Sequence, residues 1–294
     1  MEYSKTLYLY GTPTDLEVGL PKGMTEGKQF PAVILCHGFS RHRNDGLQVL
    51  AETLNEQGFV TLRFDFRGCG EHAAHKYFEY CASEWPRDLV QAVNYAESLP
   101  FVDRARIGAA GISMGACTVV YTAGMDERIK SVAAMSGIAD CREWLHYVWD
   151  SQGGDFGEFV KSVYEQARIS AATGNAHVVN VLEMYHMSRK DRDHAVLEAV
   201  FDANNSEYIA WHVMQELLMY KPVEHCPGIT QPIFFLTGGE DTLVPKENSQ
   251  RMYNAVLSQK KKMKEYPGVE HNMPIDPQRN LIFADITDWF RETL

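Results

Sequence analysis

The sequence sets a serine between two glycines, in Gly111-Ile112-Ser113-Met114-Gly115. A serine hydroxyl is a weak nucleophile until a neighbouring base takes its proton. The G-x-S-x-G spacing belongs to a sharp strand-to-helix turn that lifts such a hydroxyl clear of a sheet. The flanks agree, since residues 107–112 read as a strand and 114–124 as a helix. The helix N-terminus beneath Ser113 would favour negative charge developing nearby.

Eleven histidines could serve as the base. His271 is singled out by its place in Gly268-Val269-Glu270-His271-Asn272, on a loop just after the last expected strand, 263–266. A base of this kind needs a carboxylate to hold its tautomer and stabilise the imidazolium. Asp241 follows the expected strand 232–237, in Gly238-Gly239-Glu240-Asp241-Thr242. The chain order Ser113, Asp241, His271 suits a triad built on the carboxyl ends of one sheet. Glu240 next door and Asp140, after the expected strand 129–136, stay open as alternative acids. Acyl transfer also needs donors for an oxyanion, and fixed backbone N–H groups serve well. Met114 would supply one and Phe39 the other, from His37-Gly38-Phe39-Ser40 after the expected strand 30–36.

The elements that must position these groups alternate along the first half of the chain. Short strands are expected at 6–10 and 15–20, then strands at 30–36, 59–66, 107–112 and 129–136. Helices are expected at 45–57, 86–99 and 114–124. This rhythm predicts an α/β fold with a mostly parallel, doubly wound sheet. From 138 to 223 only helical stripes are found: Phe156/Phe159/Val160/Val163, Val178/Val181/Leu182/Tyr185, Val196/Ala199/Val200 and Ile209/His212/Val213/Glu216/Leu217. The sheet pattern then resumes and closes with a helix over 279–293. The expected organisation is therefore a core of 1–137 and 224–294 with an all-helical insert at 138–223.

Composition narrows the function classes. The chain has 294 residues, 45% of them apolar, which is ample for a buried core. Its net charge of −11 argues against a broad nucleic-acid surface. The short basic cluster Lys260, Lys261, Lys262 and Lys264 reads as a solvated loop or strand edge. No apolar run is long enough to span a bilayer, and the N-terminal residues do not have the pattern of a secretory signal. Six scattered cysteines without a CxxC pair fit a reduced, cytoplasmic protein. No G-x-G-x-x-G or Walker sequence is present, so no nucleotide cofactor is expected. His72 and His75, near Cys69 and Glu71, lack a second ligand cluster, and no metal is expected either.

Taken together, HGF at 37–39, FDFRGCG at 64–70, GISMG at 111–115, GGED at 238–241 and GVEH at 268–271 resemble the α/β-hydrolase superfamily. Within it the chain looks most like bacterial cinnamoyl/feruloyl esterases and dienelactone-hydrolase-like or acyl-peptidase-like enzymes. The resemblance implies an α/β-hydrolase fold, Ser113 as nucleophile, Asp241 as acid, His271 as base, and Phe39 and Met114 as oxyanion donors. It also implies that 138–223 is a cap over the site. Two departures stand out: the lipase-like HGGG is absent, and Glu-His-Ala-Ala-His follows Gly70 in place of a small polar turn.

The expected activity is a serine hydrolase acting on small carboxylic esters, without cofactor. Aromatic residues of the insert, Trp144, Trp149, Tyr185 and Trp211, are candidates for an apolar pocket wall. They would suit an apolar or aromatic acyl group. The same constellation would also serve a peptidase or amidase, a thioesterase or a carbon–carbon hydrolase. A non-catalytic ligand receptor is the alternative from another class. The expected partner is a small-molecule substrate, with neither nucleic acid nor membrane. A homodimer through the insert or an edge strand is compatible with the sequence.

Overall fold

The computed structural model describes residues 1–70, 81–184 and 208–294. A sheet of eight strands runs in the order β1-β2-β4-β3-β5-β6-β9-β10. β1 (Glu2–Leu9) and β2 (Thr12–Gly19) form an antiparallel hairpin, and β2 pairs antiparallel with β4 (Val60–Phe64). β3 (Phe30–Cys36), β4, β5 (Val102–Ile112), β6 (Ile129–Met135), β9 (Ile233–Gly238) and β10 (Lys261–Tyr266) are parallel to one another. The α/β fold expected from the strand–helix rhythm is the one observed.

The continuous apolar runs are explained by burial on both faces, as parallel strands require. Side chains alternate across a strand. Ala32, Ile34 and Cys36 of β3 pack in the core under α2 (Trp85–Ser98) and α3 (Met114–Ala123). Val33 and Leu35 pack on the opposite side, with α1 (Leu47–Glu56) and the C-terminal helix Arg279–Thr293. β6 and β9 divide the same way: Val132, Ala134, Ile233 and Phe235 to the first core, Ala133, Met135, Phe234 and Leu236 to the second.

Because β3 lies between β4 and β5, the chain leaves β3 toward α1 on one face and leaves β5 toward α3 on the other. A crevice opens between the carboxyl ends of such strands, the usual ligand position in open α/β sheets. The loop beginning at His37 and the turn at Ser113 are the two lips of that crevice.

β6 and β9 pair directly, Val132 to Ile233 through Met135 to Leu236, so the residues between them form an excursion. It opens with α4 (Cys141–Ser151), capped by Asp140, and α5 (Phe156–Thr173), capped by Asp155 and ended by Gly174 at φ 72°. It is not purely helical. β7 (Val178–Asn180) and β8 (Tyr208–Ala210) pair as a two-stranded antiparallel ribbon. Val178 and Val179 are β-branched and short of helical support, and among the described residues of this stripe the helix is Val181–Met184. The stripe at Ile209–Leu217 likewise divides, into β8, a 3₁₀ turn at Trp211–Val213 and a helix at Met214–Leu217. Val196, Ala199 and Val200, Tyr185, and His72 and His75 lie outside the described residues.

A helix at Glu247–Ala255 has no counterpart in the sequence reading. β10 closes the sheet, and its lysines lie over aromatic rings on the two faces: Lys262 over Phe234, Lys261 over Tyr253 and Lys264 over Tyr266. Among the described residues, no helix is long and apolar enough to cross a membrane.

Candidate active site

The turn after β5 is built as its glycines demand. Ser113 has φ 55° and ψ −118°, a strained conformation for a residue with a Cβ. Ser113 N–H donates to the Met135 carbonyl at 2.8 Å, which ties the turn to β6. A Cβ on Gly111 would sit 2.3 Å from the Gly115 carbonyl oxygen. A Cβ on Gly115 would sit 2.2 Å from the carbonyl oxygen of Cys36 and 2.4 Å from that of His37. The motif therefore records two close backbone approaches, one within the turn and one between α3 and the end of β3.

The second approach brings the His37 loop to Ser113. Gly38 lies against the serine: a Cβ there would be 3.5 Å from Ser113 Cβ. His37 is buried and sets the loop's shape. Its Nδ1 donates to the Gly38 carbonyl at 2.8 Å, while Nε2 accepts from Phe66 N–H at 3.2 Å. That pattern requires the neutral ring. Burial pushes its pKa down to about 3, the Gly38 bond opposes this, and the charges of His42, Arg41 and Arg43 push it further down. Phe66 and Trp85 enclose the ring edge-on. Beyond it, the buried Asp65 accepts from Arg43 N–H at 2.6 Å and from the Arg43 guanidinium, which also approaches Asp15 at 3.5 Å.

The loops after β9 and β10 are zipped together. Gly239 N–H donates to the Tyr266 carbonyl and Glu240 N–H to the Val269 carbonyl, both at 2.9 Å. Asp241 and His271 thereby face each other, with His271 Nδ1 2.8 Å from Asp241 Oδ2. The other oxygen, Oδ1, accepts from Leu243 N–H at 3.1 Å and Val244 N–H at 2.8 Å. The Asp241 side chain is fully buried and that of His271 is nearly so. Of the alternative acids, Glu240 is exposed. Asp140 is spent as the cap of α4, accepting from Arg142 and Glu143 N–H.

Ser113 and His271 line one open cleft of about 580 Å³, mouth included. Phe39, Ile112, Leu243, Pro274 and Ile275 give it apolar walls, and Ser40, Arg41, Asp45 and Asn272 a polar end. The polar end was not singled out in the sequence. Arg41 pairs with Asp45 at 2.8 Å, both side chains largely buried, and its Nη2 reaches Asn272 Oδ1 at 3.4 Å. The only local signal was adjacency, Arg41 to the HGF loop and Asn272 to His271. Phe39 is buried within the cleft lining. Met114 is buried at the first position of α3.

The tryptophans expected to wall a pocket are employed elsewhere, and none is among the described residues lining this cleft. Trp149 donates to the Met184 carbonyl at 2.8 Å and stacks on Phe159. Trp211 donates to Ser162 Oγ at 3.0 Å and meets the same ring edge-on. These two form the aromatic core of the excursion. Trp144 donates to the Leu243 carbonyl at 2.8 Å. The physical reason is common to all three: a buried indole N–H must find an acceptor, and each is held by the one it found, Trp149 and Trp211 within the excursion and Trp144 on the backbone of the cleft residue Leu243. Tyr185 is outside the described residues.

Comparison with known proteins agrees with this architecture. An uncharacterized 31.7 kDa protein from the traX-finO intergenic region of Escherichia coli is 27% identical over 274 residues, covering 90% of this chain and 91% of its own. The structure of DcsB, solved with a substrate analogue, superposes with a TM-score of 0.82 at 18% identity, covering 100% of this chain and 99% of the other. Est1E from Butyrivibrio proteoclasticus, solved with ferulic acid bound, gives a TM-score of 0.65 at 22% identity and covers 98% of both chains. The sequence profile of the serine aminopeptidase S33 family matches residues 27–278. With that match spanning most of its length, the chain belongs to the serine aminopeptidase S33 family of α/β-hydrolases.

Proposed function

We propose that this protein is a serine hydrolase that cleaves small carboxylic esters through an acyl-enzyme, with Ser113 as nucleophile, His271 as base and Asp241 as acid. The observation that carries the reading is the convergence on one cleft of a strained serine turn and a histidine whose Nδ1 is committed to a buried carboxylate. With Nδ1–H held by Asp241, Nε2 is left with the lone pair that accepts the Ser113 proton. Serine oxygen attacks the ester carbonyl, and the oxyanion rests on the N–H groups of Phe39 and Met114. The proton on His271 passes to the departing alcohol. Water, deprotonated by the same imidazole, then releases the acid and regenerates Ser113.

The apolar walls of the cleft favour an apolar or aromatic acyl group, which accords with the ferulic acid bound by Est1E. Residues 138–223 act as a cap on a core made of 1–137 and 224–294. The name of the family favours a second reading, an aminopeptidase using the same residues.

One experiment separates these readings. The folded protein is labelled with a fluorophosphonate probe, which reports an activated serine. Esters, aminoacyl amides and thioesters of matched acyl group are then ranked by kcat/KM. Labelling at Ser113 with esters leading is the expected result. Amides in the lead would replace the esterase by the peptidase. A folded protein that resists the probe would be a ligand receptor.

A further inference from the structure

The side of Asp241 facing away from His271 is gripped by the excursion. The peptide of Leu243 is held at both ends: its N–H donates to Asp241 Oδ1, and its carbonyl accepts the Trp144 indole N–H at 2.8 Å. One residue earlier, the Thr242 carbonyl accepts the Tyr147 hydroxyl at 3.2 Å. Trp144 and Tyr147 are three apart on α4, so they share a face and reach two successive carbonyls of the acid loop. The helix is anchored on its own account. Asp140 caps it, Ala139 N–H donates to Asn248 Oδ1 at 3.1 Å, and Glu143 pairs with Arg251. Trp144 is 3% exposed, so its N–H has no recourse to water.

We infer that Trp144 is a positioning residue for Asp241: the first helix of the excursion fixes the backbone on which the acid's carboxylate is oriented. This rests on the proposed roles of Asp241 and His271 and adds a residue to them. Acid and cap are thereby one mechanical unit.

The test compares Trp144→Phe with Trp289→Phe. Trp289 likewise donates a buried indole N–H to a backbone carbonyl, that of Val132 at 3.1 Å, but from the C-terminal helix. Tyr147→Phe removes only a hydroxyl from a half-exposed ring and serves should Trp144→Phe not fold. Two readouts are taken: kcat against KM on the best ester, and the low-field proton resonance of the His271–Asp241 hydrogen bond. In Trp144→Phe, kcat is expected to fall about ten- to a hundred-fold with little change in KM, the scale of a misplaced catalytic group. The resonance is expected to move upfield or vanish. Tyr147→Phe should show the same trend at smaller size, and Trp289→Phe should lower thermal stability while moving neither readout. Parental kcat and resonance in folded Trp144→Phe, or in Tyr147→Phe where it alone folds, would overturn the inference. The esterase reading would survive that result, because it stands on labelling of the parent. Conversely, a parent that resists the probe defeats the esterase reading, and the resonance still reports whether Trp144 holds Asp241.

Discussion

Asp241 divides its two oxygens between two tasks: Oδ2 meets His271 Nδ1 at 2.8 Å, and Oδ1 takes the N–H groups of Leu243 and Val244. The carboxylate is thus oriented before any substrate arrives. Asp241→Asn tests the first task with the second largely retained, because the amide oxygen can still accept both N–H groups. The amide nitrogen then faces His271 and forces the proton onto Nε2, the wrong ring nitrogen for a base. Ester turnover should drop by up to about 10⁴-fold in a protein that still folds. A loss smaller than about ten-fold would remove Asp241 from the acid's role.

Gly115 is the tighter of the two glycines in the serine turn. In Gly115→Ala the new methyl would meet the carbonyl oxygens of Cys36 and His37 at 2.2 and 2.4 Å. Both are backbone atoms, so strand end and helix must separate. Overpacking of this kind should cost about 3 kcal/mol or more. It should also widen the distance between Ser113 and the Phe39 N–H. Urea denaturation measures the first effect and steady-state kinetics the second; a variant of unchanged stability would refute the close approach.

The neutral His37 ties stability to pH. Its folded pKa is depressed to about 3 by burial, whereas in the unfolded chain it is near 6.5. The contribution is therefore complete above the unfolded value. It declines as pH drops below that value and is gone below the folded one. Between about pH 7 and pH 5 the parent should lose about 2 kcal/mol more than His37→Gln. Taking the difference against that variant cancels Asp65 and Asp88, whose carboxyls burial pushes upward, the latter to about 6. Parallel urea midpoints for the two proteins across that range would contradict a buried neutral imidazole.

Arg41 and Asp45 form an ion pair whose side chains are only 10% and 15% exposed. Arg41→Met removes this pair, and breaking a buried pair typically costs about 3 kcal/mol. Adding Asp45→Asn should recover at least about 1 kcal/mol, the coupling expected of contacting residues. Because Arg41 also reaches Asn272 beside His271, the single variant should raise KM. Additive stabilities in the double-mutant cycle would show the pair to be uncoupled.

Most of the sheet was legible in the sequence because its strands are buried on both faces, which leaves unbroken apolar runs such as Val33–Leu35 and Phe234–Leu236. The positions of Ser113 and Asp241 were legible because each follows such a run, and that of His271 because it follows the last expected strand, although that strand is rich in lysine. The helix Glu247–Ala255 was not, since Ser249 and Met252 are its buried residues and no apolar stripe marks it. Arg41 and Asn272 meet across 231 residues of chain, a convergence with no local signature. The contacts of the tryptophans were not legible for a different reason. Residue type predicts that an indole will be buried, but not which carbonyl its N–H will find. Three acceptors, on Leu243, Met184 and Ser162, settled that.

The lysines of β10 bear on how copies of the protein meet. β10 ends the sheet, and a terminal strand offers an unpaired row of backbone groups on which a second sheet could extend. Here the ammonium groups of Lys262, Lys261 and Lys264 lie over the rings of Phe234, Tyr253 and Tyr266, and those of Lys261 and Lys264 are also held by the Tyr253 and Val256 carbonyls and by Asp285. Two molecules attempting to join along this border would have to crowd together the exposed Lys260 and Lys262 of both copies. The sheet is thus discouraged from growing into a fibre, and association is steered toward other faces.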